Sequence, residues 1–134
     1  MKTKTIICAI LSIIFISAGA GQGYPQIIDL GTLASHPASV GWSINGDGQI
    51  VGWAADNNSI NSRACIFDAT GSGANIKLGD SNSAALGSNS SQIVGETNSI
   101  ACIFNSAGSG VNISLGTLGG STSSAQAINN SGQI

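Results

Sequence analysis

One phrase is written into this chain more than once, and no other feature constrains its fold so tightly. Leu-Gly stands at Leu30-Gly31, Leu78-Gly79 and Leu115-Gly116, and Gln-Ile begins at Gln49, Gln92 and Gln133, 43 and 41 residues apart. The four residues ACIF recur at 64–67 and 101–104, 37 residues apart. From each ACIF cysteine to the next Leu-Gly leucine the count is 13 in both copies, and the intervening DATGSGANI and NSAGSGVNI are near copies. A period of this size means that one supersecondary unit recurs, and that neighbouring units bury each other's apolar faces.

The strands of one unit follow from its alternation and its turns. SVGWSI (39–44) puts Val40, Trp42 and Ile44 on one expected face. NGDG then offers residues that tolerate positive φ, and QIVGWA (49–54) returns as the second strand of a hairpin. ACIF is apolar throughout, as a short strand buried on both faces should be. ATGSGA turns the chain into NIKLG (75–79), the fourth strand. No helical periodicity appears after residue 20. The expected fold class is all-β: tandem four-stranded antiparallel meanders, β-propeller-like blades in an incomplete array. The alternative is a β-solenoid, disfavoured because the Leu-Gly marks lie 48 and then 37 residues apart.

The start of the chain reads as an address. Lys2 and Lys4 precede the apolar run IICAILSIIFI (6–16) and the small residues SAGA, the layout of a secretory signal with Ala18-x-Ala20 as cleavage site. Eleven apolar residues are too few to cross a bilayer, which needs about 20. The expected organisation is therefore a signal peptide at 1–20 and a β-repeat region at 21–134, secreted, extracellular or periplasmic. Within the latter lie an orphan last strand at 24–31, repeat one at 32–79, repeat two at 80–116 and a truncated repeat three at 117–134. Two blades and a partial third would leave open edges. The spacing thus predicts a fragment of a longer repeat protein, prone to self-association through those edges.

Removing 20 of the 134 residues leaves 114, one domain's worth. Their cations are Arg63 and Lys77 against Asp29, Asp47, Asp56, Asp68, Asp80 and Glu96, a formal charge of −4. That balance argues against nucleic acid, which needs clustered Lys and Arg, and no integral membrane segment is expected after signal removal. Ile, Leu, Val and Phe supply 25 of the 114 residues, a thin core in short patterned runs.

DLGTL, AINNSGQI and GQIVG resemble the bacterial extracellular repeats of the HAF type. Their unit reads like D-L-G-T-L-G-G, then S-x-A-x-x-I-N-x-x-G-Q-[IV]-V-G, then H-A-F-L-W. The third copy is closest, at 115–120 and 125–134. The element that gives the family its name is altered: RACIF (63–67) has Arg63 for His, and IACIF (100–104) has Ile100 there. In the second copy LGD replaces LGTLGG and Ser91 stands for the turn glycine. The resemblance implies an exported, repetitive β protein and transfers no catalytic residue.

Chemistry is sparse. His36, the sole histidine, precedes Pro37 in an insertion of the first copy and reads as an incidental loop residue. No G-x-S-x-G elbow and no evident carboxylate pair suggest a hydrolase. NGDG and ADNN (55–58) invite a calcium reading, but no D-x-[DN]-x-[DN]-G run exists and hairpin chemistry explains them. Cys65 and Cys102 occupy one place in each unit and are expected free and buried, since equivalent positions of neighbouring blades stand about 10 Å apart, beyond a disulfide's reach; a bridge between them would favour the solenoid. The Asn-x-Ser sequons at Asn57, Asn89, Asn112 and Asn129 receive no role. No catalytic, cofactor-binding or metal-binding residue is assigned and no cofactor is expected. The reading is an exported non-catalytic repeat module with a structural or recognition role; an extracellular glycan hydrolase and a calcium-stiffened binding module are the alternatives.

Overall fold

The computed structural model describes residues 26–57 and 61–134, so the signal expected at 1–20, with Tyr24 and Pro25, lies outside the described residues. The described chain is all-β, with two four-stranded antiparallel sheets in which each strand pairs with its neighbour in sequence. The first sheet holds β1 (Ala38–Ile44), β2 (Ile50–Ala55), β3 (Arg63–Phe67) and β4 (Ile76–Lys77). The second holds β5 (Ser83–Ser88), β6 (Ile93–Thr97), β7 (Ile100–Phe104) and β8 (Ile113–Gly116). Neither sheet closes on itself: β1 and β4, and likewise β5 and β8, are edges. No helix among the described residues is long and apolar enough to cross a membrane.

The core runs in three layers, because successive residues of a strand point to opposite faces. Between the sheets, Val51, Ala64 and Ile66 of the first meet Ala85, Ile93, Cys102 and Phe104 of the second, with Leu78 from the connection. β5 lies against β1, β2 and β3 at this junction. The opposite face of the first sheet presents Ala54, Cys65, Phe67 and Ile50 to Leu30 and Leu33 of the N-terminal segment. The opposite face of the second presents Val94, Ala101 and Ile103 to Ala125 and Ile128 of the C-terminal segment. The strands centred on ACIF are buried on both sides, as their composition requires: Cys65 and Phe67 face one layer and Ala64 the next.

Both sheets carry a bulge at the same point of their first strand, at Trp42 between Gly41 and Ser43 and at Leu86 between Ala85 and Gly87. The extra residue breaks alternation. Val40, Trp42 and Ile44 therefore do not form the single face expected from their spacing: Val40 is half-buried, while Trp42 and Ile44 are 56% and 66% exposed. The bulge also explains a glycine in each second strand. A Cβ at Gly52 would collide with the Val40 carbonyl oxygen, and one at Gly95 with that of Ala84.

Three more sequence expectations change. The strand expected at 24–31 does not form over residues 26–31, because no third strand lies beside them to complete a ladder. The segment nonetheless sits as β4 does: Ile28 and Asp29 lie against Gly71 as Ile76 and Lys77 lie against Gly108. SSAQAIN (123–129) also forms no strand; it docks by the Ser123 and Ala125 amides, which donate to Ser99 O (2.9 Å) and Gly95 O (3.3 Å). Ser91 does not substitute for a turn glycine. The first and C-terminal turns close from Asn45 to Gln49 and from Asn129 to Gln133, with Gly48 and Gly132 at φ 79° and 80°, whereas the second closes from Asn89 to Gln92. One residue has been lost there, and with it the need for positive φ.

Candidate functional site

Arg63 and Lys77 are the cations of the described residues, His36 is the histidine, and the fold brings all three to one cleft. Lys77 pairs with Cys65 across β3–β4, and Arg63 stands two residues before Cys65, so both side chains leave the same face of the first sheet. Over that face runs the loop 32–37. It is tightened by the His36 amide donating to Leu33 O (3.0 Å), with Ser35 at φ 64°. The result is a cleft of about 280 Å³ lined by Leu33, Ala34, His36, Arg63, Asn75 and Lys77.

The polar contacts inside it are specific. Arg63 Nε donates to His36 Nε2 (2.9 Å), so that nitrogen carries no proton and His36 Nδ1 donates to Ala34 O (2.8 Å). Asp80 stands at the mouth with its carboxylate 3.7 Å from Arg63 Nη1 and 3.2 Å from Lys77 Nζ, its side chain 92% exposed. Asn75 is fully engaged: its Nδ2 donates to Leu30 O (2.8 Å) and Thr32 O (3.1 Å), and its Oδ1 accepts from the Asp68 amide (2.8 Å). A second depression of about 390 Å³, lined by residues 32–37, shares Leu33, Ala34 and His36 with the cleft and extends it. Sequence reasoning left His36 as incidental and gave Arg63 and Lys77 no site role; the structure brings them together.

An apolar groove of about 290 Å³ opens on the same side of the first sheet, between Leu30, Gly41, Trp42, Ser43, Ile44 and Ile50. Other polar side chains are absorbed by the frame. The turn asparagines show this best: Asn45 Nδ2 donates to Asn89 O (2.8 Å), and Asn89 Nδ2 to Asn129 O (2.9 Å). Each of them also caps its own turn, Asn45 Oδ1 accepting from the amides of Asp47 (3.0 Å) and Gln49 (2.9 Å). Asn112 Nδ2 reaches Leu78 O (3.1 Å) as Asn75 reaches Leu30. NGDG thus spends its asparagine on hairpin geometry, and among the described residues no three His, Cys, Asp or Glu side chains gather.

Cys65 and Cys102 are free and buried. They face different layers, Cys65 toward Leu30 and Leu33, Cys102 toward the first sheet. Burial pushes the Cys65 thiol up to about 12, and burial with the nearby Glu96 charge pushes Cys102 up to about 11. Thiols so protonated are poor nucleophiles. Comparison with protein-family models, curated proteins and solved structures finds no match to this chain.

Proposed function

We propose that this chain is an exported, non-catalytic β-repeat module with a structural or recognition role outside the cytoplasm. Its two sheets are read as successive propeller-like blades, and its open edges as places where copies can associate. The observation that carries the reading is the ladder of side-chain amides. Asn45 reaches Asn89, Asn89 reaches Asn129, Asn75 reaches Leu30 and Asn112 reaches Leu78, each binding a backbone carbonyl of the next or preceding segment. Repetition of the same bond at corresponding places is what a scaffold of stacked units requires, because each unit must satisfy its neighbour's exposed backbone. The HAF-type motifs and the amino-terminal SAGA segment support export.

Two measurements test it. The full chain is expressed in a bacterial host, the cells are fractionated and the amino terminus of the product is sequenced. The expected product lies outside the cytoplasm and begins at Gly21; an intact Met1 in the cytoplasm defeats export. The purified protein is then assayed on a panel of glycosidase and esterase substrates, with no turnover expected. Turnover lost on replacing one Asp or Glu would make it a hydrolase instead.

A further inference from the structure

We infer that the cleft between the loop 32–37 and the β3–β4 edge binds the carboxylate of an acidic sugar, through Arg63 and Lys77. The inference rests on the recognition reading and names its ligand class. Its first support is the contrast with the second sheet. There Ile100 stands where Arg63 does, Ser114 pairs with Cys102 as Lys77 pairs with Cys65, and Thr117 follows Gly116 as Asp80 follows Gly79. The second sheet keeps the same strand order and the same β6–β7 register without those charges. The frame therefore does not need them, and in a region of formal charge −4 the two cations nevertheless share one cleft.

Its second support is preorganisation. The bond from Arg63 Nε to His36 Nε2 fixes the plane of the guanidinium, and Nη2 makes no bond among the described residues. A guanidinium held in one plane matches the two oxygens of a carboxylate. Lys77 Nζ spends one donor on Asp80 and keeps two. Asp80, 92% exposed, is a weak internal counterion of the kind that water and salt readily displace, so a ligand carboxylate can take its place. Leu33 and Ala34 supply the apolar wall that the C–H face of a sugar ring needs, and the adjoining depression offers the hydroxyl-bearing Thr32 and Ser35 to a second ring.

Titration calorimetry of the full chain with galacturonate and its disaccharide tests this, with galactose, acetate and inorganic phosphate as companion probes. The uronates should bind, galactose should not, and acetate and phosphate should bind more weakly than the uronates. Arg63→Ile and Lys77→Ser install the residues of the second sheet, so folding is expected to survive. Each should weaken uronate binding about tenfold or more, the scale of one charge-assisted contact. Asp80→Asn should strengthen it by a factor of about 3, since it removes the competing carboxylate. Circular dichroism of each variant confirms that its strands are retained. Absence of uronate binding, or parental binding by both the Ile and Ser variants, overturns the inference. Equal binding of galactose overturns the role of charge while leaving the recognition reading standing; acetate or phosphate equal to uronate overturns the sugar. Failure of the recognition reading shows differently, as turnover of substrate.

Discussion

The sheet β1–β4 and the sheet β5–β8 build one ladder from two sets of residues, and the residues that differ separate frame from surface. Held in common are the glycine beneath the bulge (Gly52, Gly95), the buried ACIF strand, the loop asparagine (Asn75, Asn112) and the turn asparagine (Asn45, Asn89). Ser83 and Ser123 belong to the same set: their hydroxyls accept from the amides of Ala64 and Ala101, each 2.9 Å away. Lost between the two are a turn residue, the loop 32–37 and the charges Arg63, Lys77 and Asp80. The glycines, asparagines and serines kept in both sheets meet backbone, while the charges that vary line the cleft and its mouth.

The sharpest way to break that division is at the glycines. Gly52→Ala and Gly95→Ala should each cost about 3 kcal/mol or more, since a backbone carbonyl rather than a flexible side chain blocks the new methyl. Urea unfolding followed by tryptophan fluorescence reads the loss. Gly46→Ala is the control, because nothing lies within 4 Å of a Cβ there. If Gly52→Ala is as mild as Gly46→Ala, the bulge is not a fixed part of the frame.

Next in size is the difference between the cysteines. With Cys102 pushed from 9.0 to about 11, its thiolate fraction below pH 9 should fall about 100-fold, and that of Cys65 further. Iodoacetamide should thus label the native protein at pH 8 far more slowly than the protein in denaturant. Cys65 lies under a strandless segment and Cys102 between two sheets, so Cys65 should react first, through local opening. Labelling of Cys102 first would show that the N-terminal segment is as firmly seated as the sheets. The sign of the pH effect follows. A thiol raised on folding stabilises the protein below its unfolded value of 9.0, and that contribution is lost as pH rises through about 11 and then about 12.

Much of the frame was legible in advance because it is written in local terms. Strand limits follow from apolar runs and turn residues, and all four strands expected in the first copy are present. The Trp42 bulge was not legible, since alternation predicts an unbroken strand and only the close approach of Val40 to Gly52 forbids it. Residues 26–31 and 123–129 failed as strands because a strand needs a partner, and partners are a tertiary fact. The charged cleft was hidden for the same reason. Arg63 and Lys77 are 14 residues apart in sequence and meet only through the β3–β4 register, while His36 arrives from a loop with no periodicity. A signal did exist: the two cations bound the near-copied stretch 63–77, and both are uncharged in its second copy, as Ile100 and Ser114.

The asparagine ladder gives a smaller, graded comparison. Replacement of Asn by Asp keeps the oxygen that caps the turn and removes the amide that reaches the next segment. Asn45→Asp and Asn89→Asp should each cost about 1–2 kcal/mol. Asn129→Asp should cost less, because Asn129 Nδ2 meets only Gln133 of its own turn (2.6 Å). Thermal melts rank the three. Equal losses at all three sites would mean that the turn cap, not the bond between segments, holds the structure.

The smallest effect is expected where the loops DATGSGANI and NSAGSGVNI begin. Asp68 accepts from the amide and hydroxyl of Thr70 and from the amide and hydroxyl of Ser72, and these bonds, the Ser72 hydroxyl first, lower its carboxyl from 3.8 to about 2. Asn105 holds the corresponding place with one such bond, from the Ala107 amide (3.0 Å), and does not titrate. Depression on folding means that Asp68 contributes stability above its unfolded value of 3.8, lost as pH falls through about 2. The group is solvent-accessible, so screening keeps the contribution small. Asp68→Asn makes the first loop chemically like the second and should flatten the fall in melting temperature between pH 4 and pH 2, with little change at pH 7. Asn105→Asp should do the opposite to a lesser degree, since Ala107 has no hydroxyl where Thr70 has one, while Ser109 keeps that of Ser72. An unchanged acid limb in Asp68→Asn would show that the Thr70 and Ser72 bonds to this carboxylate do not carry the acid sensitivity of the fold.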